Sequence, residues 1–437
     1  MSPVTTGLIG LVIVFILMFL RMPVAFCFFT VGFFGVWHIR GLEAALSGIA
    51  TIPFSTATTY AFTVLPLFIL MGFLSSKVGI AEEFYDGIRR WIGSFRGGLA
   101  SAVIWGNVGF GACAGDSISP TVTFTAISLP EMRKYGYSDT LSMGAIIGGG
   151  NLALLIPPSS GFILYGIITL TPIGRLFIAG IFPGLLLAVL FMGIIFFICW
   201  RNPAAGPPGP RTTFREKLGA GAGMWAIIVV FLVIIGGIYI GLFTPTEAGA
   251  AGASLVILLS LARRRLSWSG FKDACVQTAT VWGMVIFLLI GVVVFNLFLT
   301  VTGVQFAIAT FVSEITQSPT LLLLLIAMMF FLLGMVVDIL AMMLLIVPLL
   351  FPVVINLGVD PLQFGVVVVL TTGAGAISPP YGLVLYAISA IVKDVSLPTL
   401  MRAVVPFFCA IIICALLVVF FPQIATWLPG TMLPTLQ

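Results

Sequence analysis

Residues 154–166 read LLIPPSSGFILYG, and residues 376–387 read AISPPYGLVLYA. Each is an apolar run broken by a Pro-Pro pair with Ser and Gly nearby, and each recovers its apolar character before a tyrosine, Tyr165 and Tyr386. Pro157 and Pro158 recur as Pro379 and Pro380, an offset of 222 residues. The same offset carries Asp116 to Asp338, Pro130 to Pro352 and Gly136 to Gly358, and Pro183 and Pro406 follow in the same order. So many matched Pro, Gly and Asp positions mark an internal repeat, and a repeat has to be recognised before any fold is assigned.

Composition says which solvent that repeat works in. A chain of 437 residues would ordinarily form two or three soluble domains, but this one is 60% hydrophobic and 8% charged, with a mean hydropathy of +1.25. A soluble surface needs roughly 25% charged residues. Lipid must therefore be the solvent over most of the length, which excludes nucleic-acid binding, secreted disulfide scaffolds and cytosolic enzymes. The net charge of +5 reports cytoplasmic loops, because Lys and Arg resist translocation. None of the six cysteines forms a CxxC pair, so they read as free thiols in helices. His38 is the only histidine, which rules out a multi-His or HExxH site, and no transition metal is expected. The N-terminal stretch MSPVTTGLIGLVIVFILMFLRM lacks a basic leader and an AxA-like cleavage site and reads as a retained membrane segment.

A spanning helix needs about 20 apolar residues. Segments meeting that need lie at 5–38, 56–76, 98–129, 140–168, 176–200, 221–243, 246–262, 277–299, 320–356, 363–392 and 403–422. Arg21 and Pro23 either divide the first into two helices or kink one. Segments 98–129 and 320–356 are too long for one crossing and have polar, Gly-containing or acidic middles, so each is read as a re-entrant hairpin. Loops 201–217 and 263–273 carry four Lys or Arg each against one acid and are cytoplasmic by the positive-inside rule. Counting outward, 131–139 and 393–402 also fall inside, while 303–319 and 357–361 fall outside. The two halves then face opposite ways, as in inverted-repeat secondary transporters, whose site lies at the repeat interface near the midplane. Residues 79–97 break the pattern: Ile80, Phe84, Ile88, Trp91 and Phe95 share one helical face and the charges lie elsewhere, an amphipathic helix in the interface plane.

The expected fold is therefore an all-α polytopic membrane protein with inverted-topology repeats, two re-entrant helical hairpins and two broken transmembrane helices. Residues 1–97 supply N-terminal scaffold helices and an interfacial arm, and 98–200 the first transport repeat. Residues 201–319 supply a cytoplasmic loop, scaffold helices and a second arm, and 320–437 the second repeat.

The chemistry falls on the breaks. The first hairpin bends at Gly111 to Pro120, through Gly115, Asp116, Ser117 and Ser119. Its partner helix reads as interrupted at Gly148-Gly149-Gly150-Asn151 and again at Pro157-Pro158-Ser159-Ser160. The second repeat offers Gly334 to Asp338, Thr371-Thr372-Gly373-Ala374-Gly375 and Ser378-Pro379-Pro380. Gly and Pro release backbone groups, which hydrocarbon tolerates only where they line a protein cavity. Freed carbonyls suit a bare cation and half-helix N-termini suit an anion, so two equivalent sites imply at least two coupling cations. An ionised Asp at the bilayer centre costs about 2.5–3.5 kcal/mol. No Lys or Arg shares the polar stretch of Asp116 or Asp338, so each is either relieved by a bound cation or proton, or is a hairpin cap bonded to backbone amides. Ser117, Ser119, Thr121, Thr123 and Thr125 either line a substrate path or return their hydroxyls to the helix backbone. Ser159, Ser160 and Ser378 are grouped with that path.

The stretch GACAGDSISPTVTFTAISLPEMRKYGYSDTLSMGAIIGGGNLALLIPPSSGFILYG (111–166) resembles the large membrane subunit (M subunit, DctM-like) of TRAP transporters. The family's IPEM-RK-GY pattern stands here as Leu129 to Tyr137, and its GG-L-LIPPS pattern as Gly149 to Ser159. LLGMVVDILAMMLLIVPLLFPV with LGVDP is similar in the second half. The resemblance covers nearly the whole chain. It implies a tripartite system in a bacterial inner membrane, with a separate small four-helix membrane subunit and a periplasmic solute-binding protein. It also implies Na⁺-coupled uptake of organic anions, such as C4-dicarboxylates or sialic and sugar acids, by an elevator movement. Cation positions carried over are Gly115 to Ser117 with Gly149, Gly150, Asn151 and Pro157, and Gly334 to Asp338 with Thr371, Thr372, Gly373 and Pro379. The first tip departs from the family, reading AGDS where an SGSS-like string is common. A stand-alone Na⁺/dicarboxylate symporter is the alternative within transport. An intramembrane enzyme is disfavoured, because Asp116 and Asp338 are isolated and symmetric rather than clustered.

Overall fold

The computed structural model describes residues 2–379 and 382–432; Ala112, Ala220, Ala222, Ala309, Val312, Ser313 and Ile315 are described by backbone alone. Pro380, the repeat partner of Pro158, lies outside the described residues. Those residues form helices and turns, with no strand among them.

The first apolar run is two helices, α1 (Pro3–Phe19) and α2 (Val24–Arg40), separated where Arg21 adopts a φ of 65° and Pro23 sets the next start. A helix missing from the sequence reading follows, α3 (Leu42–Ala57). Glu43, Ser47, Thr51 and Ser55 dilute its hydropathy, and it is held instead by packing on α2 and on a later 35-residue helix. A 3₁₀ turn (Tyr60–Thr63) leads into α4 (Val64–Lys77), then α5 (Ile80–Ile92). The first hairpin is α6 (Gly98–Ala114) and α7 (Ile118–Lys134); the first broken helix is α8 (Asp139–Leu152) and α9 (Ser160–Thr169); α10 (Ile173–Arg201) crosses back. Next come α11 (Phe214–Phe231), a π-helical turn with the short α12 (Gly237–Tyr239), α13 (Pro245–Ala262), and the 35-residue α14 (Trp268–Thr302). The second half then repeats the first: a short α15 (Val304–Ile315), hairpin α16 (Pro319–Gly334) and α17 (Ile339–Asn356), broken helix α18 (Pro361–Ile377) and α19 (Leu383–Ile391), and long α20 (Leu397–Phe420), closed by α21 (Gln423–Thr426).

Helix starts follow from local chemistry. Ser138, Ser159, Ser267, Ser318, Asp338 and Asp360 accept first-turn amides, and Thr213 with Glu216 and Thr244 with Glu247 form capping boxes. In lipid these caps matter more than in water, since no solvent competes for the orphaned N–H groups.

Packing separates a centre from a periphery. In α8 every residue from Leu141 to Leu152 is buried, and in α18 every residue from Leu362 to Ile377. A helix buried all round must be ringed by others. Here α6, α7 and α20 surround α8, and α16, α17 and α20 surround α18. The periphery is built around α14, which lies against α2, α3 and α4. Helices in lipid associate by close van der Waals packing rather than by expelling water, so small residues sit at their contacts. Gly32 on α2 shows this: a Cβ there would lie 2.8 Å from the backbone nitrogen of Phe295 on α14.

The amphipathic α5 buries Ile80, Phe84, Tyr85 and Ile88 against α6 and α11. Its charged face is tied in two directions. Glu83 accepts from Arg263 at 2.7 Å and pairs with Arg265 beyond the end of α13, while Arg89 pairs with Glu131 on the first hairpin. The arm thus connects the periphery to the centre by ion pairs as well as apolar contact.

Candidate functional site

Both hairpin tips are shaped by one glycine-to-aspartate run. At the first, Gly115 ends α6 with a φ of 70°, a region that strongly favours Gly. Its own Cβ position lies 2.9 Å from the Pro158 carbonyl, so a side chain would collide with the break in the partner helix. The Gly115 carbonyl accepts both the Ser160 amide (3.0 Å) and the Ser160 hydroxyl (2.7 Å), which pins the tip to the start of α9. Asp116 accepts the Ser119 amide on one carboxylate oxygen (2.7 Å) and the Ser119 hydroxyl on the other (2.8 Å). At the second tip, one oxygen of Asp338 accepts the amides of Leu340 (3.0 Å) and Ala341 (3.4 Å). Each aspartate therefore caps the returning half of its hairpin, and among the described residues neither has a Lys or Arg partner.

The glycine runs are placed differently from the sequence expectation. Gly148 to Asn151 lie inside α8, and Thr371 to Gly375 lie inside α18; the chain leaves the helix only after Leu152 and after Ile377. These residues are not interruptions. They let neighbours come close: a Cβ on Gly149 would lie 2.7 Å from the Asn107 amide nitrogen, and one on Gly150 would strike the Thr121 hydroxyl. In the second repeat a Cβ on Gly375 would lie 2.7 Å from the Gly334 backbone, and one on Gly334 3.1 Å from the Thr372 carbonyl. Across the two repeats, Asn151 of α8 lies against Gly373 of α18, with its Oδ1 at 2.6 Å from the Cβ position. The glycines thus bring each hairpin onto its broken helix, and the two broken helices onto each other.

That closeness buries polar oxygen. Asn107 and Asn151 are buried, and the Oδ1 of each has no hydrogen-bond partner among the described residues. A buried orphan acceptor costs about 1–3 kcal/mol, so two of them beside facing helices need an explanation. Asn107, whose Nδ2 donates to the Val103 carbonyl at 2.8 Å, was missed in the sequence. Its only signal there is a single amide in the otherwise apolar and small run of 98–114.

The hydroxyls divide. Thr121 donates to the Ser117 carbonyl (2.6 Å), Thr125 to Thr121 (2.6 Å), Thr371 to Val367 (2.8 Å), Thr372 to Val368, and Ser378 to Gly375 (3.0 Å). All five return protons to their own backbone, which leaves their oxygens as acceptors only. Thr121, Ser159 and Ser378 are buried in this conformation, whereas Ser119 and Ser160 at the first tip are partly exposed. Ser117 is buried at the start of α7, and Pro379 lies in the break that follows Ile377. Pro157 lines an apolar cavity of about 550 Å³ between α6 and the helices α5 and α11. With Trp91, Trp105, Met224 and Phe231 also in its wall, that space suits hydrocarbon rather than a hydrated anion.

Tyr165 of α9 donates to the Pro361 carbonyl at 2.7 Å and so joins the first broken helix to the start of the second. Arg133 reaches Asp139 (2.8 Å) and Asp394 (2.5 Å), tying the foot of the first hairpin to the loop after α19. The Arg133 guanidinium holds the Asp394 carboxyl below the usual carboxylate range.

Comparison with known proteins adds independent findings. Residues 11–424 match the family described as "Tripartite ATP-independent periplasmic transporter, DctM component". The chain is 31% identical over 379 residues to the C4-dicarboxylate TRAP transporter large permease protein DctM of Pseudomonas aeruginosa, covering 86% of this chain and 88% of that one. It is 30% identical over 420 residues to the sialic acid TRAP transporter large permease protein SiaM of Vibrio cholerae, covering 94% and 96% respectively. Among solved structures, the crystal structure of the Alcanivorax borkumensis YdaH transporter, described as having an unusual topology, aligns with a TM-score of 0.59 at 15% identity. That alignment covers 86% of this chain and 88% of that one, a likeness of fold.

Proposed function

The chain belongs to the DctM family of tripartite ATP-independent periplasmic transporters, a large membrane permease subunit and not an enzyme, and from that premise we propose that it performs Na⁺-coupled uptake of organic anions across a bacterial inner membrane. Its partners in this reading are a small four-helix membrane subunit and a periplasmic solute-binding protein that delivers the solute. The solute is an organic anion of the dicarboxylate or sugar-acid kind, the classes that the names of the two relatives above point to.

One observation supports the coupling ion above the others. Asn107 and Asn151 present buried carbonyl oxygens, unpartnered among the described residues, where the Gly-rich faces of α8 and α18 meet each other and the hairpins. A desolvated monovalent cation is the kind of partner such oxygens lack. Acceptor oxygens from Thr121 and from the Ser117 and Thr372 backbone stand nearby. The first site would be held by Gly115 to Ser117 with Gly149 to Asn151 and Pro157, and the second by Gly334 to Asp338 with Thr371 to Gly373 and Pro379. Asp116 and Asp338 keep their capping bonds and contribute charge; Asp338 retains one carboxylate oxygen outside its capping bonds. The elevator movement would carry the two hairpins with α8 and α18 past the periphery built on α14, with α5 as the connecting arm.

The test is uptake in proteoliposomes containing this chain, its small subunit and its binding protein, using radiolabelled succinate and sialic acid. Accumulation that requires an inward Na⁺ gradient and all three components is expected. Uptake by this chain alone, or uptake indifferent to Na⁺, would refute the reading.

A further inference from the structure

A second cavity, of about 570 Å³, lies away from the hairpins, between the loop joining α9 to α10 and the starts of α4 and α13. Both α10 and α13 run from this cavity to the Arg-rich loops at 201–217 and 263–267, so by the positive-inside rule it opens on the outer face. Its wall is mostly apolar, with Ile167, Leu242 and Phe243 among the lining residues, and hydroxyls come from Thr171 and Thr244. One cation lines it, Arg175, in the first turn of α10. Arg175 has no carboxylate partner and no hydrogen bond among the described residues, and its Nε is buried. The one acid in the wall, Glu247, is engaged in its own capping box, accepting the Thr244 amide at 2.8 Å and the Thr244 hydroxyl at 2.9 Å. The start of α10 also lacks a side-chain cap, so its first-turn amides point the same positive end toward the cavity.

Arg175 is partly exposed at the cavity wall with its buried Nε unpartnered, so an anion in the cavity would meet that donor, and the planar donors of the guanidinium match a carboxylate. We infer that this outer-face cavity is a binding site for a small organic carboxylate, with Arg175 as its anion contact and the apolar wall as the seat for the ligand's body. The site lies between the first repeat (Thr171, Arg175) and the periphery (Tyr60, Thr244), so movement of one past the other would open or close it. An organic anion arriving from outside would meet it before the hairpin tips. The organic part of this ligand class rests on the uptake reading above; the anionic part rests on Arg175.

The test uses ¹⁹F line broadening of 4-fluorobenzoate by the purified full chain in nanodiscs, with neutral 4-fluorobenzyl alcohol as control. Nanodiscs are made of phosphatidylcholine, with or without phosphatidylglycerol. Broadening of the carboxylate but not the alcohol is expected, weakened tenfold or more in Arg175→Gln, largely restored in Arg175→Lys, and equal in both lipids. Unchanged broadening in a folded Arg175→Gln overturns the site. Broadening lost when phosphatidylglycerol is present also overturns it and gives the cation to a lipid headgroup. Because the readout is binding and not uptake, its failure is separable from failure of the transport reading.

Discussion

Asn151→Leu is the substitution that separates an ion ligand from a packing defect. In the wild-type protein the Asn151 Oδ1 is buried against Gly373 with no partner among the described residues, a state costing about 1–3 kcal/mol when nothing binds it. Leucine has nearly the same size and shape and carries no acceptor, so in Na⁺-free choline buffer the variant should be as stable as wild type, or more stable by up to about 1 kcal/mol. Sodium reverses the order. A ligand at 100 times its dissociation constant stabilises the form that binds it by about 2.7 kcal/mol. Wild type should gain an amount of that order in saturating Na⁺, and Asn151→Leu only a small part of it. The assay is thermal unfolding of purified protein in NaCl, KCl and choline chloride, followed by tryptophan fluorescence. A variant that keeps the full Na⁺ shift would refute the ligand role. One that loses about 1–3 kcal/mol in choline would refute the premise that the oxygen is unpartnered.

Three further outcomes follow from the same contacts. Tyr165→Phe removes the part-buried hydrogen bond to the Pro361 carbonyl, which keeps its own bond within the first turn of α18, so a loss of about 0.5–1.5 kcal/mol in thermal or denaturant unfolding is expected. Arg89→Met and Glu131→Gln, combined in a double-mutant cycle, should show a favourable coupling of about 0.5–1 kcal/mol between the arm and the first hairpin, since both side chains are only partly exposed. No coupling would mean the arm is held by apolar contact alone. Asp394 is held below the ordinary carboxylate range by Arg133, so its contribution is present above that range and is lost only as pH falls through the lowered value. Unfolding measured from pH 7 downward should therefore show Asp394→Asn less stable than wild type at neutral pH, with the difference vanishing only in strong acid.

The hairpins and the Pro breaks were legible in the sequence because polarity inside an apolar run has few outlets in lipid. AGDS at 114–117 and the Pro-Ser runs at 157–160 could only be bends, and each became one. In the sequence the Gly-rich runs read as further breaks because Gly weakens a helix; the structure uses them for approach, with Gly149 facing Asn107 and Gly373 facing Asn151. That difference depends on which neighbour lies opposite, and spacing along one chain does not hold it. Helix α3 does not stand out in the sequence because Glu43 and its Ser and Thr residues lower its hydropathy, while its support comes from packing on α2 and α14, which a hydropathy window does not register. Asn107 escaped for a similar reason: one amide in an apolar helix carries no pattern until α8 lies against it. The two aspartates show the reverse. Both alternatives for them were visible beforehand, and the amides of Ser119, Leu340 and Ala341 establish the capping role without removing the charge.

That remaining charge gives the most direct test of Na⁺ coupling, equilibrium binding of ²²Na⁺ to the purified chain with K⁺ and choline as competitors. Asn caps a helix about as well as Asp, so Asp338→Asn and Asp116→Asn remove charge while keeping the hairpin tips intact. Saturable ²²Na⁺ binding that K⁺ does not displace, weakened at least tenfold in Asp338→Asn, is the expected result. A folded wild-type protein with no saturable ²²Na⁺ binding would contradict Na⁺ as the coupling ion.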